Sequence, residues 1–273
     1  GLRLQRLVKI GGYKLSIRAV LRVIFSNYFM AMLTPGASGG AVAQVLVLRS
    51  YGVPISKGTP IVLIRTLFSI IFLVIMLPLV FLRDAIEIPY ISRDMLLIFA
   101  VLAVIATLVA TYILQTKYMR QFVYNLAQRF KAHNTKDWLS KLETLNQGLG
   151  LLYKQPVQSL IVFIESGLSL LCLYCIAPAL MYAFTSDIPI IDILDRMILL
   201  NLILYFAPTP GGTGIAEGLF VVLFSAFVPN GTVGIIAVGW RVVAEYMPFF
   251  IGMYAVLTLY GRQFVAQETS REQ

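Results

Sequence analysis

Five ionisable side chains lie inside long apolar stretches of this sequence: Arg65, Glu165, Glu217, Arg241 and Glu245. At the centre of a bilayer each costs roughly 2.5–3.5 kcal/mol unless it is paired or hydrated, so such residues are typical of a functional site. The sequence places no Ser/His/Asp set and no cluster of metal ligands beside them. It therefore indicates binding of a charged group, and we expect no enzymatic activity, no cofactor and no metal ion.

Two turns rich in glycine and proline interrupt the apolar sequence. Residues 33–41 read Leu-Thr-Pro-Gly-Ala-Ser-Gly-Gly-Ala, and residues 208–218 read Pro-Thr-Pro-Gly-Gly-Thr-Gly-Ile-Ala-Glu-Gly. A shift of 175 positions, from Thr34 to Thr209, aligns both threonines, the Pro-Gly pairs, and the Ser/Thr-Gly pairs that follow. With a shift of 176 instead of 175 positions, Arg65 corresponds to Arg241. The chain therefore reads as an internal repeat.

Each turn immediately precedes an apolar segment, which predicts free backbone N–H groups at the start of a half-helix. Such an N-terminus attracts anions, and several transporters build their substrate site from broken helices in this way. The hydroxyls of Ser38 and Thr213 are expected to cap these helices or to bind ligand oxygens. The predicted substrate-binding residues are Arg65, Arg241, Glu217, Glu245, Thr34, Gly36, Ser38, Thr209, Gly211, Gly212, Thr213 and Gly214. The alternative is an ion-pair network that only pins the two halves together.

Composition decides the class of protein. The chain has 273 residues, of which 59% are hydrophobic and 13% charged, with a mean hydropathy of +0.83. Such a chain is a polytopic membrane protein, and its long apolar segments without period-two alternation favour helices. The net charge of +9 comes from basic residues that flank the spans, so it indicates membrane topology and excludes a nucleic-acid partner.

The order of segments predicts the architecture. Residues 19–48 and 198–228 are each two short apolar runs joined by a Pro/Gly break, which predicts two re-entrant helical hairpins meeting near the bilayer midplane. Three predicted spans separate them, so the second hairpin enters from the opposite face, as an inverted repeat requires. We expect one transmembrane domain, 1–273, with repeat halves at about 19–82 and 193–260 and a basic amphipathic segment at about 115–156.

The cysteine spacing and the distribution of charged residues give weaker predictions. Cys172 and Cys175 have C-x-x-C spacing but lie in an apolar helix, and we expect inert, buried thiols. Residues 1–22 carry six Lys/Arg and no acid, which predicts one basic interfacial helix. The basic residues place the N-terminus, the 115–156 segment and the C-terminus in the cytoplasm. The acidic residues near 187–196 indicate an outside loop.

Together these motifs resemble the transmembrane flippase region of the lysylphosphatidylglycerol synthase family. The resemblance rests on the first turn, on Gly52-Val-Pro-Ile-Ser followed by Arg65, on the second turn, and on Arg241 followed by Tyr246-Met-Pro. It implies a prokaryotic cell-membrane flippase that moves an anionic or aminoacylated phospholipid, or a polyprenyl-phosphate-linked lipid, between leaflets. The family's first turn continues into a glutamate where this chain has Gly40 and Ala41, and members carry two further spans upstream, which we expect to precede this chain.

Two other functions remain open at this point. An ion-coupled transporter of a small soluble anion would use the same inverted repeat, and an intramembrane enzyme would act on lipid phosphates. The expected partners are membrane lipids with anionic head groups. A second copy of the chain and a lipid-modifying enzyme are the candidate protein partners.

Overall fold

A computed structural model describes residues 1–83, 93–113, 150 and 155–269 of the chain. Within those residues every regular element is helical. The α-helices are α1 (Leu2–Ile10), α2 (Ile17–Leu33), α3 (Ser38–Ser50), α4 (Ile55–Leu82), α5 (Arg93–Ile113), α6 (Pro156–Tyr174), α7 (Ile176–Met181), α8 (Ile190–Leu204), α9 (Ile215–Phe224), α10 (Val233–Arg241) and α11 (Met247–Thr269). A 3₁₀ turn, Ser225–Phe227, follows α9, and a π-helical segment, Val242–Tyr246, joins α10 to α11.

Three of the described helices are long and apolar enough to cross a membrane. They are Ile55–Leu82, Pro156–Met181 and Val233–Leu259, with mean hydropathies of 2.6, 2.2 and 1.6. Each begins or ends within a few residues of a span predicted from the sequence. The all-α membrane class is therefore confirmed.

The chain divides into two compact units, which we describe separately. The first, here called the hairpin unit, comprises Leu15–Val53 and Leu171–Gln273 together with Gly1. In it α2 packs along α3 and also along α11, while α8 and α10 both pack against α9. Glycines allow the close approaches: a Cβ on Gly252 of α11 would overlap the carbonyl oxygen of Phe25 in α2. A Cβ on Gly40 of α3 would lie 3.0 Å from the carbonyl oxygen of Asn27.

The second unit, here called the span unit, comprises Leu2–Lys14 and Pro54–Leu170. Helix α1 buries Leu4, Leu7 and Val8 and packs on α4, which in turn packs on α5. The spacing of these three residues puts them on one helix face, so α1 is amphipathic as its sequence predicts. Part of repeat half 1, namely α4, thus belongs to a different unit from α2 and α3. The single-domain prediction is not tested by this division.

The structure corrects three expectations. The basic N-terminal segment is not one helix, because α1 ends at Ile10 and α2 begins at Ile17, with Ser16 accepting a hydrogen bond from Ala19 N as a side-chain cap. The acidic residues near 187–196 are not all in a loop, since α8 begins at Ile190. Cys172 and Cys175 are free but exposed on the helix surface. Two glycines follow α1, and Gly12 has a φ of 89°, which ends that helix.

Most of the predicted 115–156 amphipathic segment lies outside the described residues. The prediction made for it stays a prediction.

Candidate functional site

The two Pro/Gly turns of the hairpin unit contact each other directly. Pro35 and Pro210, which correspond under the 175-residue shift, form an isolated antiparallel β-bridge. The next residues, Gly36 and Gly211, have the same φ of 59°. This left-handed backbone suits glycine, which carries no Cβ to clash. Corresponding positions of the repeat thus meet in space with matching conformation.

The turns share a hydrogen-bond pattern. Ala37 N donates to Thr34 O at 3.2 Å, and at the corresponding place Gly212 N donates to Thr209 O at 3.0 Å. The Ser38 hydroxyl donates to Pro35 O at 3.1 Å, and its counterpart, the Thr213 hydroxyl, donates to Pro210 O at 2.8 Å. The expectation that these two hydroxyls cap the helices is therefore wrong. They close the turns instead, because the proline carbonyl three residues earlier lies within reach and accepts from both the hydroxyl and the backbone N–H of the same residue.

Other side chains cap the two helices, and they differ between the turns. In the first turn the Thr34 hydroxyl accepts from Gly39 N at 2.8 Å and donates to Met30 O at 2.8 Å. In the second turn Gly214 N, which corresponds to Gly39 N, donates to the Glu217 carboxylate at 2.7 Å. A carboxylate in the first turn of a helix is also stabilised by the helix dipole. Only the second turn is held by a charged cap.

Arg241 fixes the second turn from the end of α10. Its Nε donates to Glu217 Oε1 at 2.8 Å and its Nη2 donates to Gly211 O at 2.8 Å. The Arg241 side chain is 1% exposed, whereas that of Glu217 is 28% exposed. Both carboxylate oxygens of Glu217 are thereby engaged, one by Arg241 and the other by Gly214 N.

Arg241 nevertheless has donor capacity to spare. Its Nη1 is buried without a hydrogen-bond partner among the described residues, and Glu245 Oε1 lies 3.8 Å away, too far for a hydrogen bond. The indole N–H of Trp240 is also buried without an acceptor there. A buried unsatisfied donor costs about 1–3 kcal/mol, so a ligand oxygen at this point would be favourable.

The backbone beside Arg241 is irregular. The five residues that follow it, Val242–Tyr246, form a π-helical turn that includes Glu245, and Pro248 comes shortly after it. Proline cannot donate a backbone hydrogen bond, and its ring crowds the carbonyl four residues earlier. π-Bulges of this kind are frequent at functional sites.

The predicted site residues therefore fall into two groups. Eleven of the twelve lie in the hairpin unit: Thr34, Gly36, Ser38, Thr209, Gly211, Gly212, Thr213, Gly214, Glu217, Arg241 and Glu245. Arg65 lies on α4 in the span unit, half-buried, so its predicted role beside Arg241 stays a prediction.

Sequence analysis did not predict the partner of Glu165. In the span unit Glu165 Oε1 accepts from Arg6 Nη2 at 2.8 Å and from Nε at 3.2 Å, while Gln158 accepts from Arg6 Nη1 at 3.1 Å. The hydrogen bond with Glu165 raises the pKa of Arg6. The apolar period of α1 gave no signal for this pair, because Arg6 lies outside the face formed by Leu4, Leu7 and Val8.

A second missed feature lies inside the first hairpin. Gln44 of α3, 1% exposed, donates from its amide to Asn27 Oδ1 of α2. These neutral amides tie α2 to α3, whereas the charged side chains of Glu217 and Arg241 tie the second turn to α10. Polar residues within two short apolar runs were the signal, and amides in such runs typically bond across to a neighbouring helix.

Comparison with known proteins identifies the family of the chain. Residues 1–252 match the family model described as "Lysylphosphatidylglycerol synthase TM region". A "UPF0104 membrane protein" of Archaeoglobus fulgidus is 22% identical over 268 residues, covering 93% of this chain and 80% of that protein. No solved structure matches the chain. The chain is a multi-pass membrane protein that belongs to the family of lysylphosphatidylglycerol synthase transmembrane regions.

Proposed function

We propose that this protein is a lipid flippase in which the phosphate of a phospholipid head group binds Arg241. The observation that carries the proposal is the buried guanidinium of Arg241, 1% exposed within an apolar span and with Nη1 lacking a hydrogen bond among the described residues. Arginine suits this role because its planar fork matches phosphate oxygens and it stays charged in an apolar setting. The acyl chains would remain in the bilayer while the head group crosses.

The charges at the site favour a particular class of head group. Arg241 lies within 4 Å of the carboxylates of Glu217 and Glu245, so the three groups sum to −1 when both carboxyls are ionised. A plain anion therefore enters only if a carboxylate leaves Arg241. An aminoacylated phospholipid lowers the cost of that displacement, because its ammonium group can pair with a carboxylate while its phosphate competes with Glu217 for Arg241.

The proposed architecture is an inverted repeat. The Pro35–Pro210 bridge and the equal φ of Gly36 and Gly211 support it, because symmetry-related turns are expected to meet at the pseudo-twofold axis. We place both turns near the midplane as the tips of re-entrant hairpins, since irregular backbone at membrane depth needs protein or water around it. We place the chain in a prokaryotic cell membrane with its N-terminus, its basic 115–156 segment and its C-terminus in the cytoplasm. Aminoacyl transfer is assigned to other proteins or domains.

Leaflet exchange in proteoliposomes tests the function. The purified chain is reconstituted with a head-group-labelled aminoacylated phospholipid, and the fraction accessible to a membrane-impermeant quencher is followed with time. Arg241→Ala removes charged hydrogen bonds worth about 1.5–3 kcal/mol each, so exchange should fall by about tenfold or more. The matched control is Arg49→Ala, which removes an exposed arginine from the same unit.

The proposal fails if the parent protein does not accelerate exchange over empty vesicles, or if a folded Arg241→Ala variant exchanges lipid at the parent rate. Uptake of radiolabelled inorganic phosphate into the same vesicles, without lipid exchange, would instead support a transporter of small soluble anions.

A further inference from the structure

The two turns differ at one hydrogen bond. Gly39 N and Gly214 N correspond under the repeat, yet the first is capped by the hydroxyl of Thr34 and the second by the carboxylate of Glu217. Thr209 corresponds to Thr34, and it precedes Gly214 in the sequence by as many residues as Thr34 precedes Gly39. Its hydroxyl is buried and has no hydrogen-bond partner among the described residues. The second turn therefore contains two potential caps and uses one.

The helix ends reflect this difference. Helix α3 begins at Ser38, but α9 begins only at Ile215, two positions later under the repeat. Gly214 has a φ of 82°, whereas Gly39 has no positive φ and lies in α3. A Cβ on Gly214 would have no other atom within 4 Å, so crowding by neighbouring side chains is not the reason for the positive φ of Gly214. Residues 213 and 214, which correspond to the first two residues of α3, are not helical while the Glu217 carboxylate accepts from Gly214 N.

We propose that Thr209 is a positioning residue of the transport site, whose hydroxyl replaces Glu217 as the acceptor for Gly214 N when the carboxylate leaves Arg241. The inference rests on the proposed function, in which a head-group phosphate competes with Glu217 for that arginine. In the state in which Thr209 has replaced Glu217 as the acceptor, residues 213 and 214 become the first residues of α9. The second turn then adopts the conformation that Thr34 already gives the first turn.

The exchange removes an obstacle to release of Glu217. A backbone N–H without an acceptor is strongly disfavoured where hydrocarbon rather than water covers it. Gly214 N is exposed in the structure, so at membrane depth loss of the carboxylate would leave it in that condition unless a substitute acceptor is present. With Thr209 in place the amide stays bonded in both states, to Glu217 in one and to Thr209 in the other, while the guanidinium exchanges Glu217 for the phosphate. Thr209 thus acts through Gly214 and need not touch the lipid.

A thermal-unfolding cycle in detergent tests the exchange without any transport measurement. Thr209→Val should shift the midpoint by less than about 1 °C in the parent, because the hydroxyl has no partner there. In the Glu217→Ala background the same substitution should lower the midpoint by about 2–4 °C, the loss expected for a helix cap in a chain of this size. Thr209→Ser should keep the parent behaviour in both backgrounds. Thr34→Val is the matched control and should cost the same with or without Glu217.

A second background guards against misfolding of Glu217→Ala. Gly214→Ala disfavours the left-handed backbone and so favours the Thr209-bonded state, while leaving Arg241 paired. Thr209→Val should again cost about 2–4 °C in this background. Equal effects of Thr209→Val in parent and Gly214→Ala chains would overturn the proposal.

Lipid exchange supplies the functional readout. Thr209→Val should slow exchange by about fivefold or more with an unchanged midpoint, and Thr209→Ser should restore the rate. If the parent exchanges no lipid, the proposed function fails, but the unfolding cycle still decides the cap exchange. If the parent exchanges lipid, and Thr209→Val has the parent rate and shows no coupling in the cycle, this inference alone is wrong.

Discussion

Removal of Glu217 tests whether the pair with Arg241 holds the second turn. Glu217→Ala takes away the acceptor 2.8 Å from Nε and leaves the guanidinium with Gly211 O and a carboxylate 3.8 Å away. Breaking a buried ion pair on one side costs about 3–5 kcal/mol. Because Glu217 is 28% exposed, water hydrates part of it and the lower end, about 3 kcal/mol, applies. At about 2–4 °C per kcal/mol, the unfolding midpoint should fall by about 6–12 °C.

The double variant Glu217→Ala/Arg241→Met is the decisive comparison. It removes the stranded charge as well, and replacement of a buried ion pair by apolar residues is often close to neutral. The remaining cost, about 1–3 kcal/mol, arises because Gly211 O loses the hydrogen bond that Arg241 donated. The double variant should therefore unfold at a higher temperature than the single one. Circular dichroism in detergent at one fixed scan rate measures both, since membrane proteins often unfold irreversibly. A double variant less stable than Glu217→Ala would refute the reasoning.

Three further predictions concern packing, backbone and charge. Gly252→Ala brings a methyl group against the carbonyl oxygen of Phe25 and should destabilise the chain by about 2 kcal/mol or more. The control, Gly234→Ala, places its methyl group in open space and should change stability by less than about 1 kcal/mol. Thermal unfolding of the two variants measures the difference. Ala37→Gly relieves the one non-glycine residue of positive φ found in the described chain, at 53°, and should raise stability by roughly 0.5–1 kcal/mol in denaturant titration. Arg6→Ala should lower the unfolding midpoint in the same titration, because it breaks the hydrogen-bonded ion pair with Glu165, and an unchanged midpoint would contradict a stabilising role for this pair.

Local signals in the sequence were sufficient for most of the helices. Prolines and glycines end a helix through their own backbone chemistry, so the breaks after Leu33 and Leu204 lie at or near the predicted places. The acidic residues near 187–196 predict a loop and hence a start of α8 that is too late, because a helix tolerates charged residues on an exposed face. The exposure of the two cysteines escaped prediction for a related reason, since in an apolar helix hydrophobicity does not reveal which face meets protein.

The sequence by itself determined the membrane class, the repeated Pro-Gly turn and the presence of charges within apolar spans, because composition and spacing are properties of the chain alone. Only the tertiary structure decided which groups meet. It put Pro35 against Pro210, gave Glu217 to Arg241 and to Gly214 N, and left Thr209 without a partner. These choices depend on how helices distant in sequence pack, and hydrogen-bond partners within about 3 Å follow from that packing rather than from residue type.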